Sequence, residues 1–449
     1  MYVEIYWLGP IDPETGLPTS EGGRYQIKNL NFSPQTDLTG NSLPVNEYTC
    51  DVITTDDIPG TLPPEAGTCT LYDERGINYE RSYWPIKKSI RISPTCVRIT
   101  CTSWISQLDY IEMAETVYQS ETAENVMATI FPSANDYEMA NSLKSITISG
   151  YAPAQTARER LTWVLFVIGG YVRDIYASKV QILKVDTTEA LIPIDRIFMR
   201  PSIDRADWVT GLKITTYSFF QAASDEAAAE YDNSYMFPLP WVATESTVEL
   251  SNPAAPADAP ENVVEIDGIY LVNPNNVSAI ASRLAEYWFN PMEASLDCVN
   301  NRQYRPGDLV TVYTSPEDML TGYVQQESLK FGKQARSTLK LIGCEVKASS
   351  VLTINYTHNG RRIARDEFRF PVGFGYSLPA RYIDQTSEGH RYIYRPTTTT
   401  ITGTMVDGGS TVTVPCEIAL DLYDGILHII SVDEVTEQSS GGETIGVIS

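Results

Sequence analysis

The sequence predicts a mainly β (α+β) chain of several domains. Three observations carry that prediction: short alternating apolar runs broken by turn residues, a texture set by Thr, Val, Ile and Tyr, and a length too great for one core. At 449 residues the length implies about three or four domains. Hydrophobic residues at 43% and charged ones at 20% describe a folded chain rather than a disordered one.

Four parts follow from shifts in pattern: a first barrel-like β-domain over 1–110, an α/β helix-plus-hairpin domain over 111–187, a second barrel-like β-domain with one helix over 188–347, and a C-terminal β-rich module over 348–449. The first part reads as YVEIYWL, RYQIKNLNF, YTCDVITT, TCTLYDERG, SIRIS and CVRITCTSW, with GPIDPETGLPTSEGG as turn chemistry between the first two. Much of DVITTDDIPGTLPPEAGTC is Pro/Gly-rich loop. WPIKKSIR is read as a strand with its polar face in water rather than as a basic binding patch.

The texture changes near Ile111. A helix is predicted over 123–130, starting from Ser120-x-x-Ala123 and ending ahead of Pro132. SITISG is a strand leading into a linker over 152–155. In TARERLTWVLFVIGGYVRDIYASKVQILKV, Thr156 caps a helix whose apolar positions Leu161, Val164, Leu165 and Ile168 recur at helical spacing, and Gly169 with Gly170 gives a left-handed stop. Strands over 171–176 and 179–185 follow, turned at Ala177 and Ser178, so the unit is a helix packed on a hairpin.

Alternating runs return in LIPIDRIF, GLKITTYSFF and STVEL. SDEAAAEY is either a short helix or a loop, and NPAAPADAPE is an exposed connection. NVSAIASRLAEYWFNP is a second long helix, with Val277, Ile280, Ala281, Leu284, Tyr287 and Trp288 on one stripe. Strands are predicted over 294–299, over 309–314 after the Pro306-Gly307-Asp308 turn, and over 321–331 and 337–346. The last part runs VLTINYTHNG, FRFPVGFGYSL, HRYIYRP, TTTTITGTM, STVTVPCEI and GILHIISVDEV. No long repeat covers the chain, although the two barrel-like parts are compatible with distant copies.

A formal charge of −24, from 33 basic and 57 acidic side chains, argues against specific nucleic-acid binding, which rests on surplus Lys and Arg. MYVEIYWLGP lacks the basic and apolar regions of a secretory signal. The longest apolar run, 161–168, is about half of what a membrane span needs. Cys50, Cys69, Cys96, Cys101, Cys298, Cys344 and Cys416 are dispersed with no CxxC pair, which implies buried free thiols. Cys96 and Cys101, five apart on one strand, face opposite ways and are not expected to bridge.

No catalytic residue, cofactor site or metal site is assigned, and the chain is expected not to be an enzyme. His358, His390 and His428 all lie in the terminal module, away from the large upstream body. HExxH, GxSxG, P-loop, GxGxxG and EF-hand patterns are absent. Asp56 with Asp57 and Asp433 with Glu434 are read as solvated loop carboxylates, because 57 acids make such pairs inevitable. Thr386, Ser387, Glu388, Gly389 and His390 are read as a turn rather than a triad.

TARERLTWVLFVIGGYVRDIYASKVQILKV resembles the helix-plus-hairpin of tail-tip (baseplate) hub proteins of tailed bacteriophages and prophages, where a T-a-R-e-x-L pattern opens the helix and Gly-Gly ends it. RPGDLVTVYTSPEDMLTGYVQQESLKFGKQARSTLKLIG is similar to their strand set in which Pro-Gly-Asp and Thr-Gly-Tyr turns open successive strands, and NLNFSPQTDLTGNSLPVNEYTCDV is similar to their first barrel. The resemblance spans residues 1–347. It implies a structural part of the virion tail tip: a ring, a trimer in most relatives, that continues the tail tube and binds tube, distal-tail, tape-measure and spike or fibre proteins. An acidic chain lining such a tube would repel DNA phosphates, whereas the same charge on the outer surface would serve solubility.

The stretch from LTINYTHNGRRIARDEFRFPVGFGYSLPARY to TITGTMVDGGSTVTVPCEI resembles the β-grasp-like repeats of mucin-binding surface proteins. The shared features are Asn359-Gly360, Val372-Gly373, Tyr376 and the closing STVTV strand, while Gly425 onward extends past the usual repeat. This resemblance implies the alternative of a bacterial surface adhesin or glycan-binding protein, with Tyr376, Tyr382, Tyr392 and Tyr394 as candidate glycan contacts. Core packing of alternate strand residues explains these tyrosines more simply. The absent export signal and wall anchor weigh against the adhesin. A tail-associated peptidoglycan hydrolase is a third class, and no fused wall-degrading domain is legible.

Overall fold

A computed structural model describes residues 2–15, 18–59, 67–72, 78–80, 85–173, 179–185, 190–192, 196–231, 236–299, 304–313, 318–330 and, with short interruptions, 336–448; after residue 346 it describes backbone only. The chain divides into two compact units. One holds Met1–Ala190, Asp195–Val310 and Gly322–Cys344, and the other holds Leu191–Ile194, Thr311–Thr321 and Glu345–Ser449.

In the first unit the N-terminal residues form an antiparallel sheet in the order Asn78–Glu80, Gly67–Tyr72, Tyr2–Ile11, Pro18–Phe32, Glu47–Ile53, Cys96–Thr102, Ile86–Ser93. Period-two alternation sets its faces: Tyr48, Cys50 and Val52 pair with Cys101, Ile99 and Val97, and all six are buried in one core with Val3, Ile5 and Phe32. The sequence reading expects a barrel here. Among the described residues the two outer strands do not pair with each other, so the sheet is open.

Among the described residues five α-helices follow: α1 (Ala123–Ile130), α2 (Asn141–Lys144), α3 (Ala157–Ile168), α4 (Asp225–Ala228) and α5 (Val277–Trp288). Helices α1, α3 and α5 share one core through Met127, Leu161, Val164, Leu165, Ile280 and Leu284. Thr122, not Ser120, caps α1, its hydroxyl accepting from the Asn125 amide; Ser120 has φ +61° and belongs to the preceding strand. α3 has the capping box its sequence offers: the Glu159 amide donates to Thr156 Oγ1 at 3.3 Å, and the Thr156 amide donates to Glu159 Oε2 at 2.9 Å. It ends at Gly169 with φ +71°.

Gly170–Arg173 and Val180–Lys184 then form the expected hairpin, and Tyr137–Met139 adds a third strand, parallel to the second. The turn at Ala177 and Ser178 lies outside the described residues. The linker predicted over 152–155 is shorter than expected, because Thr147–Ala152 is strand to its end and Gln155–Thr156 pairs with Glu112–Met113. SDEAAAEY forms the single turn of α4, capped by Ser224.

Gly211–Gln221 pairs antiparallel with Trp241–Ser251 and parallel with Val263–Ile266. Ser202–Arg205 pairs with Met292–Val299, whose other side takes the start of the Arg336–His358 strand, from Arg336 opposite Val299 to Leu341 opposite Ala294. In the second unit the described strands after residue 348 pair antiparallel, except that Leu352 to Tyr356 run parallel to Thr444 to Ile448. Asn359, Gly360, Val372 and Gly373 lie outside the described residues. Among the described residues no helix is long and apolar enough to cross a membrane.

Candidate functional site

Two of the segments that carry the tail-hub resemblance meet at one junction. The Arg173 guanidinium, on the hairpin, donates to Pro306 O at 3.2 and 2.9 Å, to Asp308 Oδ1 at 2.7 Å and to the Tyr171 hydroxyl at 3.1 Å. Gly307, between those acceptors, has φ +98°, and a Cβ there would collide with the Tyr171 ring. The turn is held from its far side as well, since the Gly307 amide donates to Val324 O at 2.7 Å and the Val324 amide to Asp308 O at 2.9 Å.

Beneath the junction lies an aromatic and cationic layer. Tyr287 of α5 meets Tyr323 edge-on at 5.2 Å between ring centroids, and the Tyr323 hydroxyl donates to Glu286 Oε1 at 2.7 Å. Burial, with Tyr323 and Glu286 adding to it, pushes the Tyr287 phenol far above its ordinary range. Arg283 of α5 donates to Thr39 O at 3.2 Å and to Phe166 O in the last turn of α3, and lies 5.6 Å above the Phe166 ring. Burial brings its guanidinium down to about 10. These groups join helices and loops by bonding to the chain itself, and Arg283 Nε is left buried without a hydrogen-bond partner.

A cleft of about 410 Å³ opens beside this layer, lined among others by Asp37, Asp207, Trp288, Asn290, Glu293 and Gln325. Its carboxylates are mostly committed. Asp37 accepts from the backbone and hydroxyls of Thr39 and Ser42 at 2.6 to 2.8 Å, and Glu293 pairs with Lys340 at 3.0 Å. Among the described residues no group of three His, Cys, Asp or Glu side chains is placed to hold a metal ion.

Two sheet edges are open on the same unit. Ile86–Ser93 pairs only with Cys96–Thr102 among the described residues and leaves Lys87, Lys88, Ile90, Arg91 and Ile92 exposed. Among the described residues Trp241–Ser251 likewise pairs only with Gly211–Gln221, and it is exposed from Thr244 to its end. From Ile86 on, WPIKKSIR is thus a strand with a wet polar face, as read, and it is also a sheet edge, which local sequence does not reveal.

Of the other sequence-level candidates, Tyr376, Tyr382, Tyr392 and Tyr394 fall on the strands Gly375–Ser377, Arg381–Gln385 and His390–Thr397, with Tyr382 opposite Ile393 and Tyr392 opposite Ile383. Their side chains lie outside the described residues, as do those of His358, His390, His428, Asp433 and Glu434 and the whole of 386–389. Asp57 is a solvated carboxylate paired with Arg91 at 2.8 Å. Cys50, Cys96, Cys101, Cys298 and Cys344 are free and buried, and burial pushes the Cys298 and Cys344 thiols up to about 12.

No protein-family profile matches the chain, and no curated protein matches its sequence. Among solved structures it is similar to a tail protein from Neisseria meningitidis MC58, at 11% identity over 76% of this chain and 96% of that one, with a TM-score of 0.46. It is also similar to the 43 kDa tail protein of prophage MuSo2 from Shewanella oneidensis, at 8% identity over 76% and 98%, TM-score 0.46. A third likeness is to prophage tail protein gp18 from Listeria monocytogenes EGD-e, at 11% identity over 76% and 94%, TM-score 0.46.

Proposed function

We propose that the chain is a structural, non-catalytic component of a phage-type tail tip: a hub subunit that closes into a ring, a trimer, continues the tail tube and anchors tape-measure and spike or fibre proteins. The observation that carries this reading is the junction itself. Two segments that separately resemble tail-hub sequence, more than a hundred residues apart, lock together through Arg173, Tyr171 and the Pro306-Gly307-Asp308 turn. Buried cations and tyrosines that tie elements to one another suit a part that bears load. In this reading the negative charge of the chain faces DNA in transit and keeps it from sticking. The terminal strands, which resemble mucin-binding repeats, are an appendage to the ring.

Light scattering on the purified full chain over a wide concentration range tests the ring. The expected result is a mass at a closed multiple of the 50.0 kDa chain, three copies, held across the range. A monomer at every concentration sinks the reading.

A further inference from the structure

The two open edges match each other. Ile86–Ser93 is eight residues, IKKSIRIS, and the exposed run of the other edge, 244–251, is also eight, TESTVELS. Laid side by side in the same direction, Lys87 meets Glu245, Arg91 meets Glu249, Ile90 meets Val248 and Ile92 meets Leu250. Both charge pairs are opposite in sign, and both aliphatic pairs join side chains left more than a third exposed: Ile90 and Ile92 at 44%, Val248 at 36% and Leu250 at 37%.

We infer that the acidic edge Trp241–Ser251 of one copy adds, parallel, to the basic edge Ile86–Ser93 of the next, and that this strand addition is the contact that builds the ring. The inference rests on the ring reading above and names its surface. Three physical arguments carry it. An edge strand presents unpaired amides and carbonyls that another strand satisfies. Aliphatic side chains on neighbouring strands remove each other from water. The two edges differ, so the contact is head to tail, and head-to-tail contacts close into rings when the rotation permits.

The existing partners of the cations do not block the contact. Arg91, paired with Asp57, also donates to the Thr54, Thr55, Asp56 and Pro94 carbonyls, so Glu249 joins that set rather than replacing it. Among the described residues Lys87 holds only Glu47, with side chains 59% and 41% exposed. Such wet pairs exchange at small cost. The bulges at Ile86/Lys88 and Arg91/Ser93 make Lys87 and Ile92 the extra residues of this strand, so its regular run, Lys88 to Arg91, centres the contact on Ile90 against Val248 and Arg91 against Glu249.

The test is a charge swap read by light scattering on the full chain. Glu245→Lys and Lys87→Glu are each expected to raise the concentration for half-assembly by about tenfold, and Lys87→Glu combined with Glu245→Lys to return it to within about twofold of the original. Val248→Asp and Ile90→Asp, one on each edge, are expected to weaken assembly as the single charge reversals do. If the unmodified chain forms a closed multiple and every variant keeps it at the same concentrations, the strand pairing is overturned and the ring stands. Single reversals that weaken assembly with no recovery in the double variant overturn the pairing too. A chain that stays monomeric throughout overturns the ring reading and this contact with it.

Discussion

Two buried charges in the first unit meet their partners in opposite ways. Asp51, in the N-terminal sheet, is 2% exposed and accepts from Arg98 Nε at 2.7 Å, Arg98 Nη2 at 3.1 Å and Asn29 Nδ2 at 2.7 Å. Its counterion stands at the rim, with the Arg98 side chain 49% exposed. Arg160, in α3, is 0% exposed and reaches neutral oxygens: Tyr118 OH at 2.9 Å, Ala114 O at 3.0 Å, Pro153 O at 2.7 Å and Ala152 O at 3.4 Å. The carboxylate is held by a partner that water can replace. The cation instead gathers the segments at 114, 118 and 152–153 onto one helix, so it works as a cross-link.

Arg160→Leu is the variant that breaks this comparison most sharply. It keeps apolar bulk but removes all four of these bonds, orphans the buried Ala152 carbonyl and Tyr118 hydroxyl, and is expected to cost roughly 3–5 kcal/mol in urea unfolding. A loss under about 1 kcal/mol would mean that water enters the site and that the carbonyls are not held by the cation alone.

Arg173 sits between the extremes, since it meets both the Pro306 carbonyl and the Asp308 carboxylate and its side chain is 11% exposed. Arg173→Leu is expected to cost roughly 2–3 kcal/mol, less than Arg160→Leu because solvent can reach the orphaned Asp308. Asp51→Asn comes next, at about 1–2 kcal/mol near neutral pH, since Arg98 at the rim can turn to water. The Arg98 guanidinium holds the Asp51 carboxyl below the usual range, with burial opposing and Asn29 assisting. Folding therefore depresses this group, so its contribution is full above the unfolded value and is lost as the pH falls through the folded one. The stability gap between the two proteins should close as the pH drops below about 4, which unfolding curves at stepped pH would read.

What the sequence made legible was local. The Thr156/Glu159 capping box, the Gly169 stop and the stripe of α5 each involve residues within about a turn of one another, so spacing alone places them. Arg160 in TARERL reads as the wet face of a helix, because nothing near it announces carbonyls arriving from 114 and 153. Tyr137–Met139 is too short for an alternation signal and is a strand only through Val180–Lys184. Both sheet edges share this limit: IKKSIRIS and TESTVELS read as strands, but which neighbour each lacks is settled by pairing across the fold. The resemblance pointed to the segments around Arg173 and Asp308, while their contact appears only when the hairpin and the turn are brought together.

The smallest effect sharpens the comparison from the other side. Lys144 and Glu124 form an ion pair at 3.1 Å with side chains 37% and 57% exposed, on α2 and in the first turn of α1. Nothing there is taken from water, so attraction is weak and is offset by the entropy of holding two long side chains. Lys144→Ala is expected to change stability by less than about 0.5 kcal/mol, and that small change should shrink further in 0.5 M salt. A loss as large as that of Asp51→Asn would show that charge pairing itself, rather than burial of one partner, sets the worth of these contacts. The distinction between Asp51 and Arg160 would then have to rest on the chain segments they connect.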